Sequence, residues 1–324
     1  MAVIDARHRL AILPTPIHEA PELARGLGVQ GRLLVKRDDL TGFAVAGNKA
    51  RTLELLVGDA TAIGADVLVT GGASSSNFCQ GAAAAASVAG MACVIVYAGS
   101  PGTRTHPNQL AAEHWGAQIE WTGDPDRASV DAGIEATAAT LAREGRTPYA
   151  TPRGGANPLG AVGFHLAVRE LADQVDPQTY PTAVVLATGS GGSTAGLVSG
   201  STELDSRFQV HGASVSRPPD ETRDRVLELA RHCSELLGTD VPTAADVHVE
   251  DARGSGHGIE SPSGAAAARL AMETTGLVLD PVYSAKALAA LPTILGERRT
   301  DPDLTTIFWH TGGLLDAVAG WEHA

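Results

Sequence analysis

Two short stretches of this chain carry residue types that could do chemistry together. Thr188-Gly-Ser-Gly-Gly-Ser-Thr194 follows an apolar, β-branched run, Ala183–Ala187, and leads into a helical pattern at about Ser193. Glycines let a backbone turn and approach an anion, N–H groups at a helix start point outward, and hydroxyls add donors. The stretch reads as a cradle for a small phosphate monoester, against the plainer reading of a turn that packs helix on strand. The second stretch is Ala44-Val-Ala-Gly-Asn-Lys-Ala-Arg51, where Lys49 opens a helix after an uncharged loop. A helix N-terminus and desolvation both favour the neutral amine, the form that condenses with a carbonyl. Lysine is scarce: of 24 basic residues only Lys36, Lys49 and Lys286 are lysines. Lys36, in Lys36-Arg-Asp-Asp39, reads as a salt-bridged surface strand end, and Lys286 as an exposed helix residue close to Tyr283.

A phosphate cradle and a Schiff-base lysine together are the minimum apparatus for pyridoxal 5′-phosphate. A third stretch, Thr70-Gly-Gly-Ala-Ser-Ser-Ser-Asn-Phe-Cys-Gln80, offers hydroxyls and N–H groups suited to a substrate carboxylate, more than one helix cap needs. Other uses of the glycine loop are disfavoured. It lacks the Lys-Ser/Thr ending of a nucleotide-triphosphate loop, and His211 and Ser214 stand roughly 20 residues on, where a dinucleotide site carries an acid for the ribose.

These loops need elements to hold them. Apolar runs at Leu33–Val35, Asp66–Thr70, Cys93–Tyr97, Ala183–Ala187, Phe208–Gly212 and Thr305–Trp309 read as strands. Between them lie helical patterns at Asn48–Thr61, Asn77–Gly90, Arg127–Arg143, Pro158–Gln174, Ser193–Gly200, Asp220–Leu237, Ser261–Gly276 and Ser284–Leu295. Doubly apolar strands alternating with helices define an α/β protein with parallel sheets covered by helices, whose ligands bind beyond the carboxyl ends of the strands. The Gly/Pro-rich stretches Thr151–Pro158 and Ser216–Asp220 read as connections.

Composition narrows the partners. The 324 residues carry a formal charge of −13, which argues against nucleic acid and anionic membranes. Cys79, Cys93 and Cys233 lack metal-ligand spacing, and the histidines show none either, so no metal site and no disulfide framework are expected. Gly81–Gly99 is uncharged, but its Ala-rich half, Gly90 and β-branched half read as a buried helix followed by a strand. With no apolar export signal at the start, a cytoplasmic protein is expected.

Leu13-Pro-Thr-Pro16, Lys36-Arg-Asp-Asp-Leu40, Gly47-Asn-Lys-Ala-Arg51, Gly71-Gly…Gln80, Gly154–Gly163, Thr188–Ala195, Leu279-Asp-Pro-Val-Tyr283 and His310-Thr-Gly-Gly313 occur in this order. Together they resemble the 1-aminocyclopropane-1-carboxylate deaminase and D-cysteine desulfhydrase family, of the tryptophan-synthase-β-like pyridoxal-phosphate fold (fold type II). The resemblance spans nearly the whole chain. It implies two open twisted parallel-sheet domains, a larger cofactor-binding domain of residues 1–47 and 161–324 and a smaller inserted domain of residues 48–160, with the cofactor between them, and a homodimer. Carried over, it makes Lys49 the cofactor amine and proton carrier, with Asn48 beside it. Gly189, Ser190, Gly191, Gly192, Ser193 and Thr194 hold the phosphate, and Thr311 faces the pyridine nitrogen. Tyr283 becomes an acid, base or nucleophile-assisting group, and Ser74, Ser75, Ser76, Asn77 and Gln80 form the substrate loop. A hydroxyl opposite the ring nitrogen need not keep it protonated, which favours prompt loss of a β-leaving group.

Several positions depart from the family pattern. Relatives usually read Gly-Gly-x-x-Ser-Asn-x-x-Arg-Gln. Without a gap, Ser75 takes the serine position, Ser76 replaces the asparagine and Cys79 the arginine; a one-residue slip restores Ser76-Asn77. Gly254-Ser-Gly-His257 replaces Gly-x-Gly-Tyr, so His257 is either an acid–base group or a solvent-facing histidine, and Ser284 stands where ring-opening deaminases carry glutamate. These changes count against 1-aminocyclopropane-1-carboxylate as substrate. The expected function is a pyridoxal-phosphate-dependent lyase that deprotonates Cα of a small, cysteine-like amino acid and eliminates its β-substituent, giving a 2-oxo acid and ammonia. β-Replacement and racemisation on the same scaffold are the alternatives, and a non-catalytic ligand-binding module is the alternative of another class.

Overall fold

The computed structural model describes residues 6–175 and 182–319. The first five residues, on which the expectation of a missing export signal rests in part, lie outside them.

Among the described residues ten strands form two sheets, and the glycine-punctuated loops between them set the site. The larger sheet has the order β1-β2-β10-β7-β8-β9, with β1 (Ile17–Glu19), β2 (Arg32–Arg37), β7 (Thr182–Thr188), β8 (Phe208–Ser214), β9 (His248–Asp251) and β10 (Thr305–His310). Only β1 runs antiparallel, pairing Ile17 with Lys36. The remaining pairs are parallel, β10 lying between β2 (Thr305 opposite Arg32) and β7 (Ile307 opposite Val184). The smaller, wholly parallel sheet has the order β5-β4-β3-β6, with β3 (Val67–Gly72), β4 (Ala92–Tyr97), β5 (Gln118–Trp121) and β6 (Pro148–Ala150).

Each sheet is covered on both faces. Side chains such as Val184, Leu186, Val210 and Ile307 pack under one set of helices, while Val35, Ala183, Val185 and Phe308 pack under the other. In the smaller sheet Leu68, Cys93 and Ile95 face one apolar layer and Val67, Val69, Val94 and Val96 the opposite one. That double coverage is why these strands read as continuous apolar runs. The strands β1, β5, β6 and β9 were not legible as such: they lie at sheet edges, are three or four residues long and are largely half-buried or exposed. The uncharged stretch resolves into a helix, Asn77–Val88, and β4, and among the described residues no helix is long and apolar enough to cross a membrane.

Two expectations about lysines are corrected. Lys36 is fully buried: its ammonium donates to Thr15 O and Gln174 Oε1 and pairs with Glu170, which also receives Arg51. Arg51 adds a two-pronged contact to Asp38, 2.8 Å at each oxygen, and both cations lie 5.9 Å from the Trp309 ring. These guanidinium and ammonium groups hold the Glu170 carboxyl down at about 2 even though burial pushes the other way. Buried charges survive only when paired, and the pairing locks the helix Lys49–Ala62 to β2 and to the helix Pro158–Gln174. Lys286 is also buried and donates to Arg253 O (2.7 Å) and Gly256 O (2.8 Å).

Candidate active site

A cleft of about 390 Å³ opens where the carboxyl ends of both sheets meet. Its wall takes residues from the ends of β3, β6, β7 and β10, as open parallel sheets dictate.

Lys49 is the first residue of its helix, and Asn48 before it is already helical, with no side chain capping the start. The preceding loop is strained: Ala44 and Val45 have φ of 46° and 55°, an arrangement that costs about 1–3 kcal/mol per residue. Gly47, at φ 57°, has no room for a side chain, since a Cβ would lie 2.4 Å from Thr311 O. Lys49 lines the cleft, and its side-chain amine has no hydrogen-bond or ion-pair partner among the described residues. Desolvation lowers its pKa to about 8, which makes the neutral amine accessible near physiological pH.

Opposite it, Gly191 takes a left-handed conformation (φ 95°) and opens the helix Gly192–Glu203 without a side-chain cap. The first amide to close onto the turn is that of Ala195, on Gly191 O (2.9 Å), so the N–H groups of Gly192, Ser193 and Thr194 are the unsatisfied donors of the first turn. The loop is braced from behind. Thr188 and Thr194 share a hydroxyl contact of 2.7 Å, Ser216 and Arg217 donate to Gly189 O, and Arg225 donates to Ser190 O. Gly189 faces Tyr283, whose ring carbon would be 3.1 Å from a Cβ there.

Thr311 follows β10, lines the cleft and has its carbonyl bonded by Asn48 N–H (3.0 Å). His310, by contrast, is turned into the core, where Nδ1 accepts from Gly312 N–H (3.3 Å), so it shapes the turn and does not line the cleft. Asp280 caps the start of the helix Ser284–Leu295 by accepting from the N–H groups of Val282, Tyr283 and Ser284. Burial pushes its carboxyl up to about 6. Burial, then the Asp280 and Asp316 carboxylates, push the Tyr283 phenol well above its usual range, so Tyr283 stands in the cleft as a protonated donor.

The structure brings His257 to this site. Its ring meets Tyr283 edge-on, centroids 6.0 Å apart, and its Nδ1 is buried without a partner. Burial first, then the Arg127 charge, lowers its pKa to about 4, leaving a neutral ring at physiological pH. In the loop Thr70–Gln80, Ser75 and Ser76 line the cleft, but Ser76 Oγ accepts from Cys79 N–H (3.3 Å) and caps the helix Asn77–Val88. Ser75 spends only its carbonyl, on Asn108 Nδ2. Asn77 donates to Ala46 O (2.9 Å), tying this loop to the Lys49 loop. Ser74 is outside the cleft wall, and Gln80 is buried behind it, its amide donating to Asn77 Oδ1. Cys79 is buried with its thiol pushed up to about 12. Sequence reasoning missed the cleft arginines Arg127, Arg153, Arg217 and Arg225. Arg153 and Arg217 sit inside the two Gly/Pro-rich stretches read as connections, where an arginine between turn residues was the available signal.

Fold and site together are those of a pyridoxal-phosphate-dependent enzyme, and the chain belongs to that family, whose profile matches residues 8–312. The chain is similar to the D-cysteine desulfhydrases of Salmonella paratyphi B and Salmonella newport, each 35% identical over 319 residues covering 96% of this chain and 94% of the relative. A solved structure of an ACC deaminase homologue superposes with a TM-score of 0.89 at 32% identity, covering 99% of this chain and 96% of that one. A pyridoxal 5′-phosphate-dependent aspartate racemase shares the fold, with a TM-score of 0.66 at 18% identity over 93% and 90% of the two chains. The residues present fit the cofactor. An uncapped helix start with three free amides suits its phosphate, a side chain at Gly189 would crowd the cradle against Tyr283, and an unpartnered, desolvated lysine faces the same space.

Proposed function

We propose that this chain is a lyase that removes the β-substituent of a small amino acid, releasing a 2-oxo acid and ammonia. The observation that carries the reading is the cleft itself, in which the Lys49 amine and the uncapped helix start of Gly192–Glu203 share one wall with a protonated Tyr283. Relatives named D-cysteine desulfhydrase point the same way. When bound, pyridoxal phosphate supplies the electron sink that stabilises charge at Cα.

The protein's own groups divide the remaining work. Gly189 to Thr194 would hold the phosphate, and the Thr311 hydroxyl would serve the pyridine nitrogen. The Ser75 hydroxyl, together with the helix start behind it, binds the substrate carboxylate. Lys49 takes the Cα proton, its lowered pKa matching that task near neutral pH. Tyr283 donates a proton to the departing group, and His257, neutral, orients the phenol from its edge. The larger unit, residues 1–47 and 161–324, then supplies the cofactor cradle and the inserted unit, 48–160, the substrate loop, a division supported by the two separate sheets. Exposed Ile12, Leu40 and Val45 support self-association as a homodimer. Three free, buried cysteines suit a reducing compartment such as the cytoplasm.

The test is the visible spectrum of purified protein with and without borohydride, followed by a screen of D- and L-amino acids for oxo-acid release. A band lost on reduction and absent from Lys49→Ala, with oxo acid formed, is the expected result. Tyr283→Phe should keep the band and lose about 100-fold or more in kcat, the usual weight of a general acid. A colourless protein that stays so with added cofactor would overturn the reading.

A further inference from the structure

Four arginines line the cleft together with the carboxylates Asp131, Asp280 and Asp316. Arg127, after β5, and Arg153, after β6, reach it from the smaller sheet; Arg217, after β8, and Arg225, in the helix Pro219–Leu237, reach it from the larger. Three of these guanidinium groups are committed. Arg217 and Arg225 donate to Gly189 O and Ser190 O at 2.8 Å each, behind the phosphate loop, and Arg217 also pairs with Glu221. Arg153 makes a two-pronged contact with Asp131 at 2.9 and 2.7 Å. The guanidinium of Arg127 has no hydrogen-bond or ion-pair partner among the described residues.

Arg127 is solvent-exposed at the cleft, and its charge acts on both Tyr283 and His257, which places it beside them. A guanidinium free of protein partners is open to an anion, and its fork matches phosphate and sulfonate geometry.

We propose that the substrate is an amino acid whose β-substituent is itself an anion, of the phosphate-ester or sulfur-oxyanion class, and that Arg127 pairs with it beside Tyr283. The inference rests on the lyase reading and deepens it. For a phosphate ester the Cα proton passes to Lys49 and the Cβ–O bond breaks, its electron pair leaving with phosphate. One water then completes release of the 2-oxo acid and ammonia. A cysteine-like neutral substrate would leave Arg127 with nothing to bind.

The experiment measures kcat/KM of the holoenzyme for O-phosphoserine and S-sulfocysteine against β-chloroalanine, in both enantiomers, with wild type, Arg127→Gln and Arg127→Lys. The expected result is a preference for an anionic substrate whose ratio to β-chloroalanine falls about 10- to 100-fold in Arg127→Gln, mainly through KM, with partial recovery in Arg127→Lys. The ratio cancels any general loss of folded protein. Which anionic substrate is turned over faster identifies the anion. A wild type that favours β-chloroalanine, or a ratio unmoved by Arg127→Gln, overturns the proposal. If cofactor is bound but no substrate yields oxo acid, the lyase reading fails instead. Equilibrium dialysis of O-phosphoserine then decides the anion site separately: tighter binding by wild type than by Arg127→Gln supports it, and equal binding overturns it.

Discussion

The backbone N–H of Asn48 donates to the carbonyl of Thr311 at 3.0 Å, so the start of the Lys49 helix and the end of β10 are held as one unit. The Asn48 side chain extends the brace to Ser193 Oγ at 3.2 Å, in the proposed phosphate loop. Three segments far apart in the chain thereby share one residue. Asn48→Ala should weaken cofactor binding about 5- to 10-fold, the weight of one hydrogen bond. Gly47→Ala should do more, because a Cβ there meets Thr311 O at 2.4 Å and φ is positive. Fluorescence titration of apoprotein with pyridoxal phosphate measures both, and equal affinities across the three proteins would refute the brace.

The lowered pKa of Lys49 sets a pH dependence for cofactor capture. Only the neutral amine attacks an aldehyde, so the capture rate should rise about tenfold per pH unit below about 8 and level off above it. An unperturbed lysine would go on rising beyond pH 9. Stopped-flow absorbance between pH 6 and 9.5 distinguishes the two profiles.

Lys286 sits one turn along the helix that follows Tyr283 and clamps Arg253 O and Gly256 O in the loop that carries His257. It is a positioning residue. Lys286→Met should let the loop solvate, removing both the burial and a positive charge that hold His257 at about 4. The acid limb of the kcat/KM profile that reports His257 should then move up toward the usual histidine value of about 6.5. A merely structural loss would lower activity at every pH without moving the limb.

His211 lies in β8 with both ring nitrogens buried and unpartnered, stacked on His248 at 5.0 Å. Burial first, then the His248 and Arg298 charges, lowers its pKa to about 4. A base whose folded pKa is depressed binds more protons when unfolded, so its contribution to stability is lost as pH falls from about 6.5 to about 4. The linkage is worth about 3 kcal/mol at most. His211→Leu has no proton to bind and should flatten that part of the urea-midpoint profile between pH 7 and 4.5. Parallel wild-type and variant profiles would show that His211 titrates normally.

Much of the site was legible locally. The glycine loop at Thr188–Thr194, the helix-opening Lys49 and the strands feeding both follow from turn residues, caps and apolar runs, which act between sequence neighbours. Which serine caps the helix Asn77–Val88 was not legible in the sequence, because capping depends on where Cys79 N–H points. The reading of Lys36 and Lys286 as surface lysines failed for a related reason. Residue type alone marks an ammonium as solvent-seeking, whereas Glu170, Gln174 and the carbonyls of Thr15, Arg253 and Gly256 supply partners from remote positions.

The α/β alternation, the glycine turn at Thr188–Thr194 and the lysine at a helix start were set by the sequence alone, each a property of short-range backbone sterics and hydrophobic period. Tertiary structure alone decided the electrostatics. Arg127, Arg153, Arg217 and Arg225 are spread over nearly 100 positions, yet they converge on one cleft. Their charges, the neutral His257 and the protonated Tyr283 arise from distance and desolvation, which depend on how the two sheets are placed in space.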